Sequence, residues 1–325
     1  MIVPREAAGI RLDRFLATAL AELGDAPSRA EVQRWLELGA VRVDGSVASA
    51  KDKTRVGSRV EVDRPPPRST ELVPDPGVPF EVLHVDDAIV VIVKPAGVVV
   101  HPAAGHDTGT LVHGLLARGW FDLDVFASNE NSEPSERLRP GIVHRLDKGT
   151  SGVMVVARTA AAREGLKAQF EVHSVERAYH ALTAGVAASQ THATLHGRHP
   201  QDRLKFTGRV RTGKRAVTHV RLVSALFGDR ASLVECTLET GRTHQIRMHL
   251  AESKTPVLGD PVYGKPPRDE ALRALAAGLT HQALHARVLG FVHPVSGRKM
   301  RFEAAPPADF QAALSFLSKD SGADV

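Results

Sequence analysis

The chain has 325 residues, 42% of them apolar, a formal net charge of +5 and one cysteine. That length allows about two domains and a full core, and the lone Cys236 excludes an internal disulfide and fits a reducing compartment. The most apolar run, AIVVIVKPAGVVV, is broken by Lys94, Pro95 and Gly97, and the N-terminal MIVPREAAGI lacks a long apolar core, so neither a membrane span nor a signal peptide is expected and the protein reads as cytoplasmic.

In chain order, RLDRFLATAL places Leu12, Phe15, Leu16, Ala19 and Leu20 at helical spacing. Ser28 opens a second helix, RAEVQRWLELG, with Glu31 completing a capping box and Gly39 ending it. VRVDGSVAS reads as two strands about an Asp44-Gly45 turn, and VGSRVEV as a third. Arg29, Arg34, Arg42, Lys51, Lys53 and Arg55 fall around the second helix and this hairpin. Residues 1–64 thus form one small unit. RPPPRSTELVPDPGVP then holds six prolines and can form neither a helix nor a central strand, so residues 65–79 read as a stiff linker.

Beyond the linker, FEVLHVDDAIVVIVKP predicts a hairpin about Asp86-Asp87. GVMVVAR, RAYHALTAGV, THVRLVSAL, ASLVECTLET and RVLGFVHP predict further strands. Helices are expected over AAAREGLKAQFE, from near Thr243, over RDEALRALAAG and from about Ala308. This order argues for an α+β fold with a mainly antiparallel or mixed sheet over residues 80–315, followed by a polar tail at 316–325. DLDVFASNENSEPSER, residues 122–137, reads as an acidic surface loop.

Charge is unevenly spread. Residues 138–250 carry 18 Lys and Arg against 8 Asp and Glu, whereas residues 65–137 carry 4 against 11. A concentration of cations of this kind suits a polyanion such as nucleic acid. Within it lies GIVHRLDKGTSGVMVVAR, which predicts two strands joined by a turn, with Asp147 at a strand end between Arg145 and Lys148. Opposite charges favour the ionised carboxylate, which can serve as nucleophile or base, although an Asp beside an Arg is more often a structural ion pair. ETGRTHQIRMHLA follows, with Gly241 permitting a sharp turn and Thr243 a helix cap. It brings Arg242, His244, Arg247 and His249 to one short element suited to binding phosphate or pairing with a carboxylate. His244 and His249 are five apart and no HExxH motif occurs, so no metal site is expected; His281 and His285 read as structural. Lys205 belongs to a run of seven cations between Arg198 and Arg215 that reads as backbone-phosphate contact or as a solvated face.

Taken in order, KPAGVVVHP, RPGIVHRLDKGTSGVMVVA, ERAYHALTAG, TGRTHQIRMHLA and PVLGDPVYG resemble the large-ribosomal-subunit pseudouridine synthases of the RluA and RluD type. SRAEVQRWLELGAVRVDGSVASAKDKTRVGSRVEV resembles the S4 RNA-binding domain found in front of many members. The first resemblance spans about residues 80–310, with Gly149 standing where many members carry a polar residue, a change expected to loosen the turn. It implies that Asp147 is the catalytic aspartate in converting uridine to pseudouridine. The N1–C1′ bond breaks, the uracil turns and C5 bonds to C1′, with no cofactor, metal or nucleotide required. It further implies that Arg247 pairs with Asp147, keeping it ionised and aimed, and that Tyr179 stacks on the uracil. Arg145 would fill the gap left by the flipped base, and Leu258 would line an apolar uracil pocket. Arg242, His244, Arg29, Arg34 and Lys205 would contact RNA. The expected partner is large-subunit ribosomal RNA, free or in assembling particles, with a monomer as the default. Three other readings stay open: the same chemistry on transfer RNA, a non-catalytic RNA-binding or ribosome-assembly protein, and a nucleoside hydrolase or glycosylase.

Overall fold

A computed structural model describes residues 1–65, 72–103, 106–120 and 139–319, and the chain divides into two compact units at residues 69/70. The acidic stretch 122–137 lies outside the described residues.

In the first unit, α1 (Leu12–Glu22) and α2 (Arg29–Glu37) pack over β1 (Val41–Val43), β2 (Ser46–Val47) and β3 (Val60–Val62). Phe15, Leu16 and Leu20 meet Val32, Trp35 and Leu36 in one core with Val41 and Val60. Ser28 and Glu31 form the expected capping box, worth about 1 kcal/mol. Asp44 and Gly45 both take positive φ, 50° and 81°, as a two-residue hairpin with this twist requires. Arg29 has a structural partner: together with Arg11 and Gln33 it hydrogen-bonds Asp13, which is fully buried on α1. Arg34 is half-buried on α2.

The second unit is built on a ten-stranded mixed sheet. Its strands are β4 (Glu81–Val85), β5 (Ile89–Lys94), β6 (Ser151–Ala157), β7 (Glu176–Ala184), β8 (Gln190–Arg198), β9 (Phe206–Thr207), β10 (Lys214–Leu226), β11 (Ala231–Leu238), β12 (Leu284–Val292) and β13 (Lys299–Glu303). They run in the order β4-β5-β6-β12-β7-β11-β10-β8-β9, with β13 beside β12. The β6–β12 pair is parallel and the other pairs are antiparallel. Its helices among the described residues are α3 (Leu111–Ala117), α4 (Ala160–Glu171), α5 (Gln245–Glu252), α6 (Glu270–Gly278) and α7 (Ala308–Lys319).

Strand alternation divides the interior into two cores. Val90, Ile92, Met154 and Val156 face one, completed by α3, α5, α6 and α7. Ile89, Val91, Val153 and Val155 face the other, covered by Ala162 and Leu166 of α4. Because β5 and β6 are apolar on both faces, they read as near-continuous hydrophobic runs. Each fully buried Val, Ile or Leu contributes about 1.5–3 kcal/mol.

Several expectations are corrected. The segment before Asp147 is not a strand: it holds an isolated bridge between Ile142 and Val156, and regular pairing begins at Ser151. The linker shortens, because Leu72 is buried in the larger core and the Asp75 N–H donates to the His113 carbonyl. The tail shortens too, since α7 continues to Lys319 and buries Leu317 completely. Helix α5 starts one residue later than Thr243 would cap it. His244 stands at its N-cap in the left-handed region, and the Gln245 side chain folds back to accept from the Arg242 N–H and the Thr240 hydroxyl. Cys236 is buried, as expected, and burial pushes its thiol up to about 12.

Candidate active site

The motifs converge on one cavity of about 570 Å³, open between the turn before β6, strand β7 and the N-terminus of α5. Arg145, Asp147, Tyr179, Arg242, His244 and Arg247 all line it.

Asp147 sits in the turn four residues before β6. The Thr150 N–H donates to its carbonyl at 3.0 Å. The next carbonyl, of Lys148, accepts from the Gly97 N–H at 2.8 Å and from Lys94 Nζ at 3.3 Å. Lys94 is fully buried, and its ammonium also donates to the Pro95 and Val98 carbonyls. Burial pushes Lys94 down to about 7, against the pull of the Asp147 charge. The KPAG and RLDKG motifs are therefore one structure: the first ties down the turn that presents Asp147. Gly149 does not loosen this turn. A Cβ there would stand 2.3 Å from Gln282 Oε1, whose amide in turn donates to Thr150 Oγ1. Gln282 occupies the space that a larger residue at 149 would need.

Arg247, on α5, reaches Asp147 through Nη1 at 2.9 Å. Its Nε and Nη2 form a two-pronged contact with Asp260 at 2.7 and 2.8 Å. The Arg247 side chain is 4% exposed, Asp260 0% and Asp147 17%, so Asp147 is the most open of the three to the cavity and Asp260 lies behind it. Burial alone would lower Arg247, but the Asp260 hydrogen bonds and both carboxylate charges outweigh it and hold the guanidinium protonated. Asp260 also accepts from the Val262 and Tyr263 N–H groups; these bonds and Arg247 hold it below the usual carboxylate range despite burial. Asp260 is a site residue that sequence reasoning did not find, because nothing local in PVLGDPVYG marks it as a partner for Arg247.

Tyr179 projects from β7 and is 8% exposed. Burial pushes its phenol up, with Arg177 opposing and Asp147 reinforcing. His244 places Nε2 3.9 Å from Asp147 and Nδ1 3.3 Å from the Tyr263 hydroxyl, and burial lowers its pKa. Arg145 is exposed at the cavity. Leu258 is not among the lining residues. It lies in the core, exchanging backbone hydrogen bonds with Leu182 and Ala283, and Leu146, Ile246 and Leu284 supply the apolar lining instead. Lys205 also lies off the cavity and pairs with Asp202 at 3.5 Å. Its neighbour Phe206 stacks on His196 and meets His244 edge-on. His285 is structural, held between the Ser151 hydroxyl and the Ala304 carbonyl. Among the described residues, no group of three or more His, Cys, Asp or Glu is placed to hold a metal ion.

The lining is strongly cationic: six Arg and Lys side chains face two carboxylates, Asp147 and Glu171. An oriented carboxylate beside a buried phenol, inside an anion-attracting wall, suits chemistry on one unit of a polyanion.

Comparison with known proteins agrees. Residues 88–252 match the RNA pseudouridylate synthase family model, and residues 10–60 match the S4 domain. The chain belongs to the RNA pseudouridylate synthase family. It is 42% identical over 332 residues to ribosomal large subunit pseudouridine synthase D of Neisseria meningitidis, covering 100% of this chain and 83% of that protein. It is 46% identical over 318 residues to an uncharacterized RNA pseudouridine synthase of Chloroflexus aurantiacus, covering 98% and 93%. Among solved structures, human RNA pseudouridylate synthase domain containing 4 aligns at a TM-score of 0.54 and 25% identity, over 73% of this chain and 92% of that one. The α+β sheet described above is thus the pseudouridine synthase fold, with an S4 domain in front. The protein is an RNA-acting isomerase.

Proposed function

We propose that this synthase isomerises uridines of large-subunit ribosomal RNA, with Asp147 as the catalytic group. The observation that carries the chemistry is the Asp260–Arg247–Asp147 chain, which leaves one carboxylate oriented at the cavity wall. Its target lies inside a stacked duplex or loop, so the uridine must flip into the cavity to be reached. Asp147 then acts at the ribose, attacking C1′ or removing a ribose proton. The N1–C1′ bond breaks, the uracil turns within the cavity, and C5 bonds to C1′. C5 loses a proton and N1 gains one, so atoms and electrons balance without redox partner or cofactor. Tyr179 stacks on the uracil; its phenol, kept protonated by burial, can donate a hydrogen bond to the turning base while the C5 proton leaves to another base or to water. Arg145, exposed at the cavity, takes the space of the flipped base. The apolar lining keeps water from the cleaved ribosyl centre, which distinguishes the isomerase from a hydrolase releasing free base.

Large-subunit ribosomal RNA as the target rests on the names of the Neisseria relative and of one from Xanthomonas campestris, 43% identical over 326 residues. The S4 domain and the β8–β10 cations would hold structured RNA by its phosphates. A cytoplasmic monomer is the simplest form of this reading. Mapping pseudouridines by carbodiimide labelling and reverse-transcription stops, in cells with and without the gene, tests it. Stops lost from the large ribosomal RNA and restored by wild type but not by Asp147→Asn are expected. Losses confined to transfer RNA would overturn the substrate, and no change at all would overturn the activity.

A further inference from the structure

The cavity contains two buried arginines with opposite electrostatic situations. Arg247 is answered by two carboxylates. Arg177, two residues before Tyr179 on β7, is 7% exposed and has none. Its Nη2 donates to the backbone carbonyls of Glu239 at 2.7 Å and Leu238 at 3.4 Å, and its guanidinium lies 5.6 Å from the Phe170 ring centre. Its Nε–H has no hydrogen-bond partner and its charge no ion-pair partner among the described residues. A cation removed from water without a counter-charge is expensive, so a buried one at a cavity wall marks a place where an anion arrives with the ligand.

The surroundings are built for that arrival. A Cβ on residue 241 would stand 2.7 Å from Arg177 Nη1, so Gly241 serves this arginine by close approach rather than by a turn. Arg242 and Lys167 line the same cavity. His144, which stacks on the other partner of Arg177, Phe170, is neutral: burial pushes it down to about 3, and its Nε2 accepts from the Val155 N–H. It contributes no competing charge.

We propose that Arg177 is a phosphate site, taking the phosphodiester next to the flipped uridine at the side of its guanidinium that lines the cavity. The inference rests on the cavity being the uridine site. Of the groups an RNA brings, only its phosphates are anions; uracil and ribose cannot neutralise a guanidinium. Two strand positions separate Arg177 from Tyr179, about 6.6 Å along β7, so a phosphate attached to the target ribose can reach it.

The test uses the full-length protein and short RNAs carrying the target uridine, each with one linkage near it replaced by an uncharged methylphosphonate. Equilibrium binding and pseudouridine formation are read in parallel for wild type and Arg177→Gln, with thermal unfolding confirming that the variant is folded. For wild type, one linkage adjacent to the uridine should weaken binding about tenfold when neutralised, the scale of a charge-assisted hydrogen bond. Arg177→Gln should bind unmodified RNA about tenfold more weakly and lose less than about twofold more at that linkage. Penalties that multiply independently would make Arg177 a structural residue and overturn the proposal. If Arg177→Gln does not fold, the wild-type scan decides alone: tolerance of every linkage within one nucleotide of the uridine overturns it. Coupling without pseudouridine formation would leave the phosphate site standing and sink the activity; pseudouridine formation without coupling would do the reverse.

Discussion

Asp260→Asn separates anchoring from chemistry. The substitution keeps shape but places an amide NH₂ where Arg247 Nε now donates to a carboxylate oxygen at 2.7 Å. One of the two prongs becomes donor against donor, and the buried guanidinium loses the counter-charge that outweighs its desolvation. Removing one partner of a buried pair costs about 3–5 kcal/mol. For a unit of this size, 3 kcal/mol corresponds to a fall in melting temperature of about 6–12 °C. Arg247 would also no longer aim Asp147, and a misplacement on the order of 1 Å can cost about 100-fold in rate. Thermal unfolding and single-turnover pseudouridine formation read the two effects. The Asp260 contribution is present above the ordinary carboxylate value of 3.8 and is lost as pH falls below it, because the folded-state pKa is depressed. A variant that melts within about 2 °C of wild type and keeps its turnover would refute the anchoring role.

Other consequences follow from the same geometry. Asp147→Asn should abolish turnover while leaving RNA binding, and stability to within about 1 kcal/mol, intact, because Asp147 faces the cavity; loss of binding would make it structural. Tyr179→Phe should bind RNA and react far more slowly, and unchanged rates would remove the hydroxyl from the chemistry. His249, held between the Thr194 and Thr218 hydroxyls, is pushed down to about 4 by burial and by His192 and His196. Its folded pKa lies below the ordinary 6.5, so stability should fall as pH drops from about 6.5 to about 4. His249→Gln should flatten that loss in melting temperature, and an unchanged pH profile would contradict the assignment. Deleting residues 1–64 should lower RNA affinity and reduce the salt slope by roughly 0.7–0.9 per lost phosphate contact. An unaltered slope would mean that the S4 domain does not touch the substrate.

Local signals carried much of the fold. The Ser28–Glu31 box, the Asp44-Gly45 turn and the apolar strands β5 and β6 each announce themselves within ten residues. Other elements did not, for identifiable reasons. Helix α3 contains Gly114, which weakens helical pattern but lets Val78 approach to within 2.8 Å of where a Cβ would be. Strand β8 is largely exposed and polar, so it lacks the hydrophobic alternation that marks a strand, and β13 is only five residues long.

The site shows the same division. Asp147, Tyr179 and Arg247 stand in recognisable motifs, and the pairing across 100 residues of sequence came from the family resemblance rather than from spacing. Asp260, Lys94 and Arg177 were not legible because their roles depend on what lies opposite them in space. A buried lysine, a second carboxylate and an arginine without a counter-ion look like ordinary surface charges in one dimension. Arg29 illustrates the converse: a cation in the right motif that Asp13 engages.

The central claim is that Asp147, oriented by Arg247, converts uridine to pseudouridine. The most direct measurement incubates the purified wild type and Asp147→Asn with unmodified large-subunit ribosomal RNA, digests the RNA to nucleosides, and quantifies pseudouridine and free uracil. Wild type should form pseudouridine and release no uracil, while Asp147→Asn forms none. Pseudouridine formed by Asp147→Asn at a wild-type rate, or uracil released by the wild type, would contradict the account.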